Sequence, residues 1–270
     1  MKIAFWSPLH GTGASSGLLA VATALSILDS KKIVVSQTHY NLNNLERPLL
    51  GSIGNGDFFR DTGVDALLRF FKSGNITEEH IENCSIKMSE TLYLLAGTKT
   101  ANREGFESNT HKGMLLHIFS CLEKYFDLVL IDTNSGKCEL SMRMIDECDA
   151  VVVSLRQNRD MLDGFFDSEM FGDKPVFYLF PDYDPESRYS MYNLRTLYKK
   201  MNPRNSSFLP HNSGYMDAIC DEKVLKFITS NIDADKTMAY HDFFCALRKT
   251  ALMFSGFLKT GSTYRVRGEG

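Results

Sequence analysis

The sequence predicts an α/β fold, a doubly wound and mostly parallel sheet with helices on both faces. Two observations carry this expectation. Short apolar runs alternate along the chain with segments of helical spacing, the order that builds parallel sheets through helical crossovers. The runs are apolar at consecutive positions, as in Leu128-Val129-Leu130-Ile131 and Ala150-Val151-Val152-Val153, which is the pattern of strands covered on both faces. The 270 residues can bury a full core. There are no internal repeats, low-complexity runs or Pro/Gly-rich linkers, so residues 1–270 are expected to form a single domain.

The first strand is expected at Ile3-Ala4-Phe5-Trp6, followed by a glycine loop and an Ala-rich helix from Leu18 to Leu28. Lys32–Ser36 reads as a second strand. Tyr40 to Phe59 is polar, Asn- and Gly-rich and without clear periodicity, and a connection of that length is usually functional or mobile. Val64, Leu67, Leu68 and Phe71 share one face of a helix over 64–72, and Thr77 suits the cap of a short helix over 78–83. Thr91–Gly97 reads as the third strand, His111–Tyr125 as a helix and Phe126–Asp132 as the fourth strand. A short helix over 140–147 leads to strands at Ala150–Ser154 and Pro175–Phe180.

The loop His10-Gly11-Thr12-Gly13-Ala14-Ser15-Ser16-Gly17 lies between a strand and a helix, where backbone N–H groups and roughly half a positive charge at the helix N-terminus can meet an anion. A full phosphate loop reads G-x-x-x-x-G-K-[ST]. Gly11 fits the first glycine and Gly13 is displaced, while Ser15 and Ser16 fall where the lysine and the magnesium-holding hydroxyl belong. The cradle and the hydroxyl are kept and the charge is not. Asp132, on the carboxyl end of its strand, fits the acid that holds magnesium or its bound water, or else caps the turn that follows.

Composition narrows the function classes. A net charge of −3 gives no global attraction for nucleic acid or an anionic membrane, and no nucleic-acid partner is expected. Six scattered cysteines without C-x-x-C read as reduced, buried thiols. No basic and apolar leader opens the chain and no apolar run approaches the roughly 20 residues that span a bilayer, so a cytoplasmic location is expected.

These motifs together resemble the ParA/MinD family of deviant Walker-A ATPases. His10–Ser16 aligns with the family's K-G-G-x-G-K-[ST], agreeing outright at Gly11 and Ser16. Phe126–Thr133 is similar to its [YF]-D-x-[IV]-[IL]-[IV]-D-[TS] strand, Thr91–Gly97 to its L-x-[VL]-L-[PA]-[GA] strand, and Leu209-Pro210-His211-Asn212 with Asp217-Ala218 to its late [IV]-P-x-[DN]…[DE]-A segment. The resemblance covers most of residues 1–230. It implies ATP with Mg2+ as ligand, Ser16 and Asp132 at the metal, and residues 10–17 (His10, Gly11, Thr12, Gly13, Ala14, Ser15, Ser16, Gly17) with Pro210 around the nucleotide.

The departures bear on activity. The family's first loop lysine crosses a nucleotide-sandwich dimer and its second contacts the β- and γ-phosphates; here they are His10 and Ser15. Ser36-Gln37-Thr38-His39 carries no carboxylate where the family has a water-positioning aspartate, and Phe180-Pro181 stands where an adenine-contacting asparagine is expected. Losing a charge-assisted bond to phosphate costs about 1.5–3 kcal/mol. Losing a stabiliser of the transferring group costs on the order of 10²–10³ in rate. Weak nucleotide binding with poor or absent hydrolysis is therefore expected.

Alternatives stay open at several positions. His10 either stands in for the cross-dimer lysine or packs the loop, and Ser16 is a metal ligand or a helix N-cap. Asp182–Ser187 carries metal-like acids, against which its Pro and Ser make it a turn, and Arg156–Asp160 reads as a solvated strand-to-helix loop, in a neighbourhood that the resemblance implies lies near the nucleotide. Phe243, Phe244, Leu247, Ala251, Phe254 and Leu258 share a helical face beside Arg248, Lys249 and Lys259, before Arg265 and Arg267. That segment, about 240–270, is either a docking helix or an interfacial membrane or partner helix. The expectation for the whole is a spatial organiser, close to the atypical relatives that place a pilus-assembly or secretion machine at the cell pole. Its expected partners are proteins of that machine, a second copy of the chain and the inner face of the membrane. An active partitioning or division ATPase and a scaffold without ligand are the alternatives.

Overall fold

The computed structural model describes residues 1–40, 42–51, 61–99 and 103–265. The first half of the chain runs β1 (Lys2–Trp6), α1 (Ala14–Leu28), β2 (Ile33–Gln37), α2 (Glu46–Leu50), α3 (Gly63–Ser73), α4 (Glu78–Cys84), β3 (Ile86–Lys87), β4 (Leu92–Leu95), α5 (Arg103–Glu107), α6 (Asn109–Leu122) and β5 (Leu128–Asp132). It continues with α7 (Glu139–Glu147), β6 (Ala150–Ser154), α8 (Arg159–Asp167), β7 (Val176–Tyr183), α9 (Met191–Leu197), β8 (Ser206–Pro210), α10 (Ser213–Cys220), α11 (Val224–Asn231) and α12 (His241–Arg265). The strands form one eight-stranded sheet in the order β3-β4-β2-β5-β1-β6-β7-β8. Neighbours pair in parallel except β3, which runs antiparallel to β4. The expected α/β architecture is the observed one.

Because strand side chains alternate in direction, each strand feeds two cores. Ile3 and Phe5 point to the face covered by α1, α11 and α12, while Ala4 and Trp6 point to the face covered by α3, α6, α7 and α8. All five residues of β1, β2, β5 and β6 are buried, which is why their sequences read as continuous apolar runs. The chain enters the sheet at its centre, builds outward to β4, returns through β5 and then builds the other way. This reversal beside β1 leaves a crevice at the carboxyl ends of β1, β5 and β6, where ligands bind in open α/β sheets.

Several sequence expectations are corrected. The first helix begins at Ala14 instead of Leu18: Ala14–Gly17 form its opening turn, closed by Gly17 N donating to Gly13 O at 2.8 Å. The Tyr40–Phe59 stretch contains α2, packed through Leu45 and Leu49 into the core; Asn41 and residues 52–60 lie outside the described residues. β3 is too short to show a period, and β8 and α9–α11 have mixed composition that hid them. The sixth expected strand extends to Tyr183, so Asp182 closes a strand and the turn begins at Asp184. Within Arg156–Asp160 the helix α8 already starts at Arg159, capped by the Asn158 side chain.

The C-terminal stripe is core. Phe243, Phe244, Leu247, Ala251, Phe254 and Leu258 are all buried, and α12 lies along α1 and β8. Phe254 stacks edge-on with Phe5 at 6.1 Å and Phe177 at 5.4 Å between ring centres. These apolar groups are spent inside the fold and do not face a membrane. Arg267 and the side chain of Arg265 lie outside the described residues. Among the described residues no helix is long and apolar enough to cross a membrane. All six cysteines are free thiols, and burial pushes Cys84 up to about 11 and Cys148 up to about 12.

If α12 is part of the core, Phe254→Ala will destabilise the protein by about 3–5 kcal/mol. Urea unfolding followed by circular dichroism measures this, and a loss under 1 kcal/mol would mean that the helix is only loosely docked.

Candidate functional site

The loop after β1 is held by glycines that bring the backbone of its end and of the first turn of α1 against side chains of β7. Gly11 and Gly13 adopt left-handed φ of 75° and 85°, conformations that side chains disfavour. A Cβ on Gly13 would stand 2.7 Å from Pro181 Cγ, and one on Gly17 would stand 2.9 Å from Leu179 Cδ2. The start of α1 therefore rests directly on β7. Tyr215 of α10 fixes it from the side, its hydroxyl donating to Ser16 O at 2.6 Å. The loop after β5 is tied in as well, since Gly136 N donates to Ser7 O and the Trp6 indole donates to Gly136 O, each at 2.9 Å.

Among the described residues, the backbone N–H groups from Leu9 to Ser16 find no acceptor beyond the tight turn at His10–Gly11. The N-cap of α1 is Gly13, without a side-chain cap and without an acid in the first turn. Such a run of unclaimed donors at a helix N-terminus can receive an anion. It faces a cleft of about 740 Å³ bounded by the loop, His39, Arg47, Asp132, Arg156 and Asp182.

Asp132 sits fully buried at the floor of this cleft. Its Oδ2 accepts a 2.6 Å hydrogen bond from Ser15 Oγ, and its Oδ1 has no partner among the described residues. Burial pushes its carboxyl up to about 7, against the opposing pull of the Ser15 bond and with a further push from the Glu46 charge. His39 Nδ1 lies 3.8 Å away. Burial, with the nearby His10, brings the His39 imidazole down to about 4, so at neutral pH the contact is between a carboxyl and a neutral ring and is not an ion pair.

The structure redistributes the expected roles. Ser15, in the lysine position, is the residue that meets Asp132, whereas Ser16 Oγ turns back onto Gly13 O at 3.1 Å. Ser16 is also not the N-cap, a place held by Gly13, and Asp132 caps no helix, since α7 is preceded by Cys138. His10 is exposed at the rim of the cleft. Pro210, at the end of β8, lines a neighbouring cleft of about 1000 Å³ beside α12 and does not reach the loop.

Residues 36–39 carry no carboxylate, but α2 brings Glu46 close behind them. Glu46 is buried and satisfied by Gln37 Nε2 at 2.8 Å and Gly97 N at 2.7 Å, with Lys99 Nζ at 3.6 Å. It is absent from the cleft wall and does not replace a water-positioning acid. Sequence reasoning missed Glu46, in a stretch without periodicity, and Tyr215, which lies unmarked within the late motif; His39 and Asp182 stand in segments it quoted without giving either residue a role at the loop.

The donor set was tested for Mg2+. Among the described residues no group of three or more His, Cys, Asp or Glu side chains could hold a metal. The unpartnered Asp132 Oδ1 with adjacent hydroxyls fits an ion that brings most of its ligands from phosphates and water, which is the usual habit of Mg2+.

The architecture has solved counterparts. A ParA family ATPase from Chlorobium tepidum superposes with a TM-score of 0.70 at 14% identity, over 93% of this chain and 98% of that one. A putative plasmid partition protein from Borrelia burgdorferi, bound to AMPPNP, gives 0.65 at 16% identity over 94% and 98%. The MinC:MinD cell division complex of Aquifex aeolicus gives 0.65 at 15% identity over 94% and 96%. No protein-family model and no curated protein matches the sequence. The fold is that of the ParA/MinD ATPases.

The Asp132 carboxyl gives a pH signature. It titrates near 3.8 when unfolded and at about 7 when folded, so between those values the folded state holds a proton that the unfolded chain has released. The Asp132 contribution to stability should then fall as pH rises from about 4 to about 7 and level off above, by on the order of 2–4 kcal/mol, while His39, held down to about 4, adds an opposing rise between about 4 and its ordinary 6.5. Asp132→Asn should remove the Asp132 part alone, so that its stability relative to the parent is greater at pH 8 than at pH 5. Urea unfolding at pH 5 and pH 8 for both proteins measures the difference.

Proposed function

We propose that this chain is a ParA/MinD-like spatial organiser with a degenerate phosphate loop, which binds adenine nucleotide with Mg2+ weakly and turns it over slowly or not at all. In this reading residues 1–270 act as one domain. One observation carries it: the 2.6 Å bond between Ser15 and Asp132 beneath an open run of backbone donors. The donors suit phosphate, and the AMPPNP bound by the Borrelia neighbour supports an adenine nucleotide as the occupant. The floor of the cleft, however, offers a hydroxyl and a half-protonated acid where phosphoryl transfer needs positioned cations. Asp132 would hold the magnesium through Oδ1 after giving up its proton, and Ser15 would orient the carboxylate through Oδ2.

Such a protein works through what it holds. The Aquifex neighbour is a complex with a protein partner, which supports a protein partner here, and the positioning of a pilus, secretion or other cellular machine is the role in best accord with a kept scaffold and lost charges. We place the chain in the cytoplasm and at the inner face of the membrane. Peripheral contact there cannot use the apolar stripe of α12, which is buried. With His10 at the position of the cross-dimer lysine, self-association should follow protein concentration more than nucleotide. A scaffold without ligand is the second reading, favoured by the way Ser15 already occupies one oxygen of Asp132.

Titration calorimetry with ATP, ADP and a non-hydrolysable analogue in the presence of Mg2+ decides between them. Weak binding, with a dissociation constant above the micromolar range, is expected, together with phosphate release close to background. Sub-micromolar affinity would sink the degenerate-loop reading, and no binding at millimolar nucleotide would leave the scaffold. Ser15→Lys should tighten binding roughly ten- to a hundredfold, since the backbone geometry around that position is already in place.

A further inference from the structure

The cleft has no lysine, yet two guanidinium groups reach it, Arg47 from α2 and Arg156 from the segment after β6. They are held very differently. Arg47 Nε lies 2.5 Å from Glu222 Oε1. Arg156 Nη2 stands 3.8 Å from Asp182 Oδ2, beyond hydrogen-bond distance, with both side chains about half exposed at 52% and 44%. A pair of that kind contributes little to stability, so its guanidinium can leave at small cost.

Asp182 is the fixed member of the pair. It sits at a left-handed φ of 65° where β7 shifts register against β8, a backbone setting uncommon outside glycine. Its other oxygen is in contact with His211 Nδ1 at 2.6 Å. Arg156 borders the cavities on both sides of His10, Gly11 and Thr12, the 740 Å³ cleft and a second, mostly apolar one of about 680 Å³. It therefore shares the walls of both cavities with the loop residues His10, Gly11 and Thr12.

We propose that Arg156 is the phosphate cation of this cleft, supplying from the end of β6 the charge that the loop lacks at Ser15, with Asp182 as its resting partner. The proposal rests on the nucleotide reading above. The ligand chemistry is a di- or triphosphate, whose oxygens match the planar guanidinium fork two at a time. On binding, Arg156 exchanges the distant Asp182 carboxylate for phosphate, and Asp182 remains with His211.

Equilibrium dialysis of the full chain against labelled ADP and ATP with Mg2+ tests this, each variant being checked for native circular dichroism. Arg156→Gln should weaken binding roughly ten- to a hundredfold, and Arg156→Lys should recover part of the loss. Asp182→Asn should tighten binding several-fold, because asparagine tolerates the left-handed backbone and no longer competes for the guanidinium. Equal affinity for the parent and Arg156→Gln overturns the proposal and leaves the nucleotide reading standing. A loss carried by Arg47→Gln instead also overturns it, by moving the charge to α2. Weaker binding by Asp182→Asn overturns the resting-partner role. A parent protein that retains no nucleotide at millimolar concentration overturns both readings together.

Discussion

The contact on which the rest of this site depends is the close approach of the start of α1 to β7. At Gly13 and Gly17 there is no room for a Cβ between the helix and Pro181 or Leu179. This closeness seats the first turn of α1 over the carboxyl ends of the central strands and leaves the N–H groups of Gly13–Ser16 without a protein acceptor among the described residues. It also sets Ser15 within hydrogen-bond reach of Asp132, 117 residues further along the chain. A helix displaced outward by one methyl group would lose that bond and the Tyr215 contact that anchors Ser16.

Two buried carboxylates lie close to one another here and have opposite fates. Glu46 is saturated by the Gln37 amide and the Gly97 N–H, so its burial is compensated within the protein. Asp132 keeps one oxygen without a partner, and among the described residues no cation is among the groups that act on it. A buried acid left in that condition raises its pKa, and about 7 is where it rests. The unsatisfied oxygen marks the place where an external cation is most valuable.

Elsewhere the chain follows general rules with few departures. The sheet reverses at β1, the two faces are covered by separate helix layers, and the final helix closes one core with phenylalanines at helical spacing. That last feature shows how one pattern serves two physical ends. An apolar stripe flanked by lysine and arginine suits a membrane surface as well as a protein core, and only the presence of α1 and β8 beneath it settles the matter.

The sequence by itself determined the α/β class, the strands β1, β2, β4, β5, β6 and β7, the glycine loop and the terminal acid Asp132, because each is written in contiguous residues whose spacing or burial has a local cause. It also showed that the loop lysine is replaced by Ser15. Short elements such as β3, α2 and β8 were illegible, since their few residues mix charged, hydroxyl or proline positions with apolar ones. Only the tertiary structure decided that Ser15 rather than Ser16 meets Asp132, that Pro210 opens onto a different cleft, that Glu46 is consumed internally and that Arg156 faces the loop across Asp182. Those facts depend on side chains brought together from distant segments by the packing of α1 on the sheet, and no local pattern encodes which hydroxyl or which arginine will end nearest a buried charge.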